Sequence, residues 1–415
     1  MADAALPQPL SSIVRRTPVP PTVSQPVATP LWPSVVYRAT DADELDRIYE
    51  GELPGYSYAR EGHPNADVLA AKIDLLEGRR KPSAPAGIVS GSGMAAVSAV
   101  VLGLLRAGDH VAAGNQLYGR SLRLVTADLP RMGFATSLFD PTDAASVEAA
   151  LTPATRMILV EVVSNPTLRV ADMEAIAALG AERGVPVVVD NTFTTPRMYQ
   201  PLAQGADVVI HSVTKLLGGH ADLTLGYTAT DDPDLAAAIR TAAVTWGFAP
   251  SPFDCWLAER GLHTFEVRFD RAEANAVAVA DALAGLDGVR AVLYPGRADH
   301  PDRARAEKLF GRRTGNMVSF VLDGGRPEVN AFLRGAAAIP FAPTLGDVAT
   351  TISHPASSSH RALTAEAREA LGMPEGFIRL SVGIEDPDLL IDEITAAVAA
   401  ARIRSRSSAE PCSGS

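Results

Sequence analysis

Cysteine is nearly absent from this chain. Only Cys255 and Cys412 occur in 415 residues. One sits inside a helical pattern and the other in a polar tail, so a disulfide framework and a thiolate metal cluster are both excluded. Long apolar runs are missing too, and no stretch is long enough to cross a bilayer. The N-terminus has no basic start followed by an apolar stretch, so no secretory signal is visible. A basic surplus is lacking: the formal net charge is −11 at pH 7. That argues against non-specific binding to nucleic acid or anionic membranes. No internal repeat is seen. The expected address is cytoplasmic, with no nucleic-acid or membrane partner and no metal.

What remains is the composition of a folded protein, with 47% apolar and 20% charged residues. At this length more than one globular unit is expected. The first stretch is rich in Pro, Ser and Val and reads as extended or partly disordered, which bounds a segment over residues 1–55. Apolar strands then alternate with helical patterns. Strands are read at Gly87–Val89, Met157–Val160, Val185–Val189 and Val208–Ile210. Helices are read at Asp67–Leu76, Met94–Leu105 and Met173–Arg183. This alternation predicts an α/β domain over 56–252, with a mostly parallel sheet covered on both faces. From Phe253 one long helical stretch runs through Arg260, Phe265 and Asn275 to Leu283. Strands at Asn316–Leu322 and Phe377–Val382 follow, giving a smaller α+β domain over 253–403. Residues 404–415 read as a disordered tail.

Chemistry concentrates at strand ends. Lys215 follows the apolar run Val208-Val209-Ile210, with Ser212 and Thr214 before it and Gly218-Gly219 after it. A lysine there is costly to bury unless it is paired, neutralised or snorkels to solvent. It is a sensible choice if the amine bonds covalently to a ligand. Asp190 ends the strand Val187-Val188-Val189, as a helix cap or as the partner of a protonated ring nitrogen. Ser90-Gly91-Ser92-Gly93-Met94-Ala95-Ala96 joins a strand to a helix start, a place suited to phosphate. It also fits the dinucleotide pattern through Gly91, Gly93 and Ala96, although a tight turn needs the same glycines. In such sheets ligands sit beyond the carboxyl ends of the strands, so Asp190 and Lys215 should share one crevice. Pyridoxal 5'-phosphate (PLP) uses both a lysine and a carboxylate on its pyridine nitrogen.

Several short motifs, in this order, resemble one family. They are Tyr58-Ala59-Arg60, Ser92-Gly93-Met94, Ser164-Asn165-Pro166, Val189-Asp190-Asn191-Thr192-Phe193, Ser212-Val213-Thr214-Lys215 with Gly218-Gly219-His220, His354-Pro355-Ala356-Ser357 and Arg379-Leu380-Ser381-Val382-Gly383. Together they resemble the Cys/Met-metabolism, or trans-sulfuration, family of PLP-dependent enzymes over roughly residues 54–401. That family includes cystathionine γ-synthase, cystathionine γ- and β-lyases, methionine γ-lyase and O-acylhomoserine sulfhydrylases. The resemblance implies the fold of type I PLP-dependent transferases, which is aspartate-aminotransferase-like. It also implies a dimer of dimers whose N-terminal segment contacts a neighbouring subunit.

The resemblance also implies roles. Lys215 would bond the cofactor aldehyde and move substrate protons, and Asp190 would pair with the pyridine nitrogen. Asn165 would hydrogen-bond the ring hydroxyl, and Thr192 would pack near the ring. Gly93 and Met94 amides, with Ser212 and Thr214 hydroxyls, would hold the phosphate, joined by Tyr58 and Arg60 from a neighbouring subunit. Tyr118 would stack on the cofactor and help move protons. Arg379 would fork onto the substrate α-carboxylate. His354 would shape the Arg379 side of the pocket.

Departures from the family pattern bear on the substrate. Arg120 follows Tyr118-Gly119 where a small residue is usual. It either faces the substrate side chain or turns to solvent. Pro343-Thr344-Leu345-Gly346 stands where many relatives have Glu-Ser-Leu-Gly-Gly. The expected activity is γ-elimination or γ-replacement on sulfur-containing or O-activated homoserine-type amino acids, with C–S bond cleavage favoured. Alternatives are γ-replacement with an unusual nucleophile, a dinucleotide-binding protein and a catalytically silent PLP-binding relative. Trp246 and Trp256 are expected in the core, and no ligand role is expected of His211 or His220.

Overall fold

The structure is a computed structural model that describes residues 22–79 and 84–409, with side chains through 403. The chain divides into two units, Met1–Pro30 and Leu31–Ser415. In the first, residues 22–30 form neither helix nor strand. All the described helices and strands lie in the second.

Two sheets organise it. The first has β1 (Ile88–Ser90), β2 (His110–Gly114), β3 (Ala135–Phe139), β4 (Thr155–Glu161), β5 (Val187–Asp190), β6 (Val208–Ser212) and β7 (Gly226–Ala229), in the order β1-β7-β6-β5-β4-β2-β3. The pairs from β3 to β6 are parallel, while β7 runs antiparallel to both β6 and β1. β4, β5 and β6 are buried along almost their whole length. That is why they read as unbroken Val/Ile/Leu runs. The second sheet has β8 (Val289–Leu293), β9 (Met317–Leu322), β10 (Thr351–Ser353) and β11 (Phe377–Ser381), in the antiparallel order β10-β11-β9-β8. The fold is thus α/β with a large, mostly parallel sheet and a smaller antiparallel one, as expected.

The structure departs from the sequence expectations near both chain ends, in the long helix and at Trp246. Helix α1 (Ala42–Tyr49) lies in the segment expected to be extended. It buries no residue fully, but Leu45 and Ile48 are half-buried and, with Ala42 and Tyr49, form an apolar stripe at helical spacing that the Pro-rich reading of the segment passed over. Its support is local: Asp41 Oδ1 accepts the Glu44 N–H at 2.8 Å, and Asp43, Glu44 and Arg47 suit the helix dipole. At the other end, the helix Pro387–Ala409 continues past residue 404, where a disordered tail was expected. The last residues of that expected tail, 410–415, lie outside the described residues, as do 1–21 of the N-terminal segment.

The long helix expected from Phe253 to Leu283 is broken at His263-Thr264 into Pro252–Leu262 and Phe265–Ala284. At the break the Thr264 N–H takes the Gly261 carbonyl at 3.2 Å, and Arg268 joins it. Its guanidinium reaches back to the Gly261 carbonyl at 2.9 Å, and also takes the Leu216 and Leu217 carbonyls at 3.0 and 3.2 Å. One buried cation therefore ties the end of one helix to the loop that carries Lys215. Of the two tryptophans expected in the core, Trp246 is 60% exposed and Trp256 is half-buried.

Candidate active site

The tips of β4, β5 and β6 open into one cavity of about 250 Å³. Helix α2 (Pro64–Leu76) packs on one side of the sheet and α3 (Gly93–Leu104) begins at the cavity mouth. Helix α4 (Gly119–Arg123) and the loop through Pro343 and Thr344 close it.

Lys215 lies in the turn after β6. Its amide donates to Ser212 O at 3.1 Å, and its carbonyl accepts from Gly219 N–H at 2.8 Å. Nζ donates to Thr344 Oγ1 at 3.2 Å. Burial, with a further contribution from the Arg379 charge, pulls the Lys215 pKa below the ordinary lysine value. A lysine so placed carries more of its nucleophilic neutral form near neutral pH.

Asp190 stands one strand away. Its Oδ1 accepts the Thr192 hydroxyl at 2.5 Å and the Thr192 N–H at 3.0 Å. Thr192 Oγ1 in turn accepts Ser212 N–H at 2.9 Å, which joins the tips of β5 and β6. Burial pushes the Asp190 carboxyl above its ordinary value. A buried carboxyl of this kind is stabilised as an anion by a cationic partner, and a protonated pyridine nitrogen is one. Beneath it, Glu77 accepts from Asn191 Nδ2 at 3.3 Å and contacts the buried His211 ring. His211 therefore belongs to the floor, while His220 turns to Gly218 O at 2.8 Å.

The phosphate end fits as well. Gly93 and Met94 open the twelve-residue helix α3, capped by Ser92 Oγ on Ala95 N–H at 3.1 Å. The first amides of a helix have no acceptor within it, and they favour an anion. A Cβ on Gly93 would lie 2.7 Å from Ser212 Cβ, so glycine lets the helix start touch β6. The Thr214 hydroxyl lines the cavity but is engaged with Leu225, accepting its N–H at 3.0 Å and donating to its carbonyl at 3.1 Å.

Arg379 comes from β11 of the other sheet. Nη1 donates to Asn165 Oδ1 at 2.6 Å and Nη2 to Thr344 O at 2.8 Å. Its Nε is buried without a partner among the described residues. The guanidinium also lies 5.7 Å from the Phe193 ring centroid. Burial lowers its pKa to about 10. An orphaned N–H on a buried guanidinium beside a cavity suits a carboxylate ligand. His354 holds the adjoining turn, through Ser357 Oγ at 2.7 Å and Glu375 O at 2.8 Å.

The cavity thus gathers Lys215, Asp190, Asn165, Thr192, Gly93 and Met94. It also gathers Ser212, Thr214, Tyr118, Thr344 and Arg379. It does not gather Tyr58, Arg60 or Arg120. Arg60 donates to Val244 O at 3.1 Å and lies 5.7 Å over the Tyr58 ring, away from this wall. Arg120 is exposed, and its neighbour Ser121 faces the cavity instead. Its position gives no support to contact with a substrate side chain. Sequence reasoning missed Glu161, Phe193, Ser358 and Ser359, which also line the wall. Glu161 had a usable signal: Met157-Ile158-Leu159-Val160-Glu161 repeats the apolar-strand-then-acid pattern of Val187 to Asp190.

The residues present therefore fit PLP at each of its ends. Comparison with known proteins agrees. The profile of the Cys/Met metabolism PLP-dependent enzymes matches residues 12–399. A cystathionine gamma-lyase of Bacillus subtilis is 36% identical over 368 residues, 89% of this chain and 93% of that protein. An L-methionine gamma-lyase of Pseudomonas putida is 36% identical over 92% of each chain. The crystal structure of a cystathionine gamma synthase from Xanthomonas oryzae pv. oryzae, in complex with aminoacrylate and cysteine, superposes with a TM-score of 0.85. It is 35% identical and covers 91% of this chain and 94% of that one.

Proposed function

The chain belongs to the Cys/Met metabolism family of PLP-dependent enzymes, and on that premise we propose that it performs γ-elimination or γ-replacement on sulfur-containing or O-activated homoserine-type amino acids. C–S bond cleavage is the favoured direction. The relatives include lyases and a synthase, so membership supports the chemistry at Cγ more firmly than the choice of leaving group. The observation that carries the reading is the joint placement of Lys215, Asp190 and Arg379 around one cavity.

Each residue has a task in it. Arg379 would take the α-carboxylate of the substrate and orient its Cα toward Lys215. Lys215, eased toward its neutral form by burial, would hold the cofactor and then carry protons between Cα, Cβ and the leaving group. Thr344 Oγ1, 3.2 Å from Nζ, would keep that amine aimed. Asp190 would hold the ring nitrogen protonated. The cofactor, when bound, supplies an electron sink for negative charge developing on the substrate carbons. Asn165 would face the ring hydroxyl and Tyr118 the ring itself. Gly93, Met94, Ser212 and Thr214 would face the phosphate.

Tyr58 and Arg60 lie away from this cavity, and we assign them to the site of a neighbouring subunit in a dimer of dimers. Sedimentation of the purified protein tests that assembly. The activity is tested by incubating the protein with cystathionine, homocysteine, methionine and O-acylated homoserines, with and without a thiol, and identifying products by mass. A 2-oxo acid from cystathionine is the expected product, and no turnover of any γ-substituted amino acid would overturn the reading.

A further inference from the structure

Glu161 is a buried carboxyl that the chemistry above does not use. It ends β4, and its partner in the parallel pairing is Asp190 at the end of β5. Both line the cavity. One pyridine nitrogen calls for one anion, and Asp190 provides it. A second anion beside Asp190 would repel it strongly in a poorly solvated site. Burial first, and Asp190 second, push the Glu161 carboxyl well above its ordinary value. A group in that state acts through hydrogen bonds rather than through charge, and its partner is the Tyr118 N–H, which donates to Oε1 at 2.6 Å.

Tyr118 is the N-cap of α4 and has no side-chain cap bond of its own. Its carbonyl accepts from Leu122 N–H at 2.9 Å. A Cβ on the next residue, Gly119, would stand 2.1 Å from Ser359 O. The 118–119 backbone is therefore wedged between the β4 tip and the loop carrying Ser359. Tyr118, 41% exposed as a residue, borders the cavity. We propose that Glu161 is a positioning residue: by accepting the Tyr118 N–H it sets where the Tyr118 ring lies against the cofactor. This rests on reading the cavity as the PLP site.

The test uses the holoenzyme with Glu161→Gln, Glu161→Asp and Glu161→Ala. The readouts are the visible circular dichroism of the bound cofactor and cofactor affinity by absorbance titration. Gln keeps a carbonyl oxygen at the same reach, so both readouts should stay within about twofold of the parent. Ala removes the acceptor and should weaken cofactor binding roughly three- to tenfold, the scale of one hydrogen bond, while reducing the dichroic band. Asp, one methylene shorter, should follow Ala. In a Tyr118→Ala background, Glu161→Ala should add little, because residues acting as one unit are not additive. The proposal falls if Gln behaves like Ala, if Ala changes neither readout, or if the two losses simply add. Lys215→Ala, measured alongside, should lose the visible band. If the band persists there, the premise about the cavity fails, and that failure is distinct from the others.

Discussion

Arg379 and Asn165 stand 214 residues apart in the chain, and Arg379 Nη1 donates to Asn165 Oδ1 at 2.6 Å. The bond joins β11 of the small sheet to the loop after β4 of the large one. On the proposed reading, an amino acid docked on Arg379 would thereby be fixed relative to the large-sheet loop that carries Asn165. Arg379→Lys keeps a positive charge but loses the planar fork. Its kcat/KM for amino-acid substrates should fall about ten- to hundredfold, the equivalent of ~1.5–3 kcal/mol for a charge-assisted hydrogen bond. Cofactor absorbance should be retained. Steady-state kinetics beside a visible spectrum checks this, and an undiminished kcat/KM would remove Arg379 from substrate binding.

Asp190 offers a cleaner separation of binding from chemistry. Asp190→Asn keeps the size and loses the anion that would keep the ring nitrogen protonated. We expect kcat to drop by about 10²–10³, the scale seen when one preorganised electrostatic partner is removed. Cofactor content should fall much less, since the phosphate end is untouched. Single-turnover kinetics on cofactor-saturated protein gives the number.

Much of this site was legible because fully buried parallel strands announce themselves. Val187 to Asp190 and Val208 to Ser212 are apolar runs ending in a functional group. β2, β3, β7, β8 and β10 were not read as strands: β3, β8 and β10 lie at sheet edges, while β2 (His110–Gly114) and β7 (Gly226–Ala229) are interior and buried but mix Ala, Gly, His and Thr into short segments with no Val/Ile/Leu run. Ala135 to Phe139 mixes Thr and Ser with Leu and Phe, and is exposed over much of its length. The break at His263-Thr264 was hidden because apolar spacing continues across it. At the end of the first helix Arg268, reaching back from the second, takes the Gly261 carbonyl alongside the Thr264 N–H, and no local pattern encodes that reach. Arg120 shows the reverse limit. Its position in a motif placed it beside the cavity, but the direction of its side chain depends on how α4 packs.

Asp302 links stability to pH. Its carboxylate accepts Arg169 Nε at 2.6 Å, Arg169 Nη2 at 3.0 Å and Val170 N–H at 3.0 Å. Burial pushes its pKa up, but the Arg169 hydrogen bonds and the Val170 N–H outweigh burial and hold it below the ordinary value. A carboxyl whose folded pKa is depressed contributes stability above its unfolded pKa of about 3.9. That contribution is lost as pH falls through the folded value. Asp302→Asn should therefore destabilise the protein at neutral pH by about 2–4 kcal/mol, because Arg169 loses its carboxylate. The difference from the parent should shrink on acidification below about pH 4. Urea unfolding at several pH values measures it, and a pH-independent gap would argue for lost packing instead.

Gly219 is the position where backbone shape and the Arg268 clamp meet. Its φ is +77°, which side-chain-bearing residues rarely adopt, and an added Cβ would lie 1.8 Å from Arg268 Nη1. Gly219→Ala must therefore either strain the turn after Lys215 or expel the guanidinium from the Leu216, Leu217 and Gly261 carbonyls. Expulsion takes this donor from the Leu216 and Leu217 carbonyls, at about 1–3 kcal/mol each, while Gly261 O keeps the Thr264 N–H at 3.2 Å. The left-handed conformation adds roughly another 1 kcal/mol. We expect a total loss above about 2 kcal/mol in unfolding free energy. Because the same loop carries Lys215, cofactor affinity should weaken as well. Arg268→Lys should reproduce part of both effects, since an ammonium has the charge but not the span to reach three carbonyls. A Gly219→Ala protein with parental stability and cofactor affinity would show that the loop is held by contacts other than this clamp.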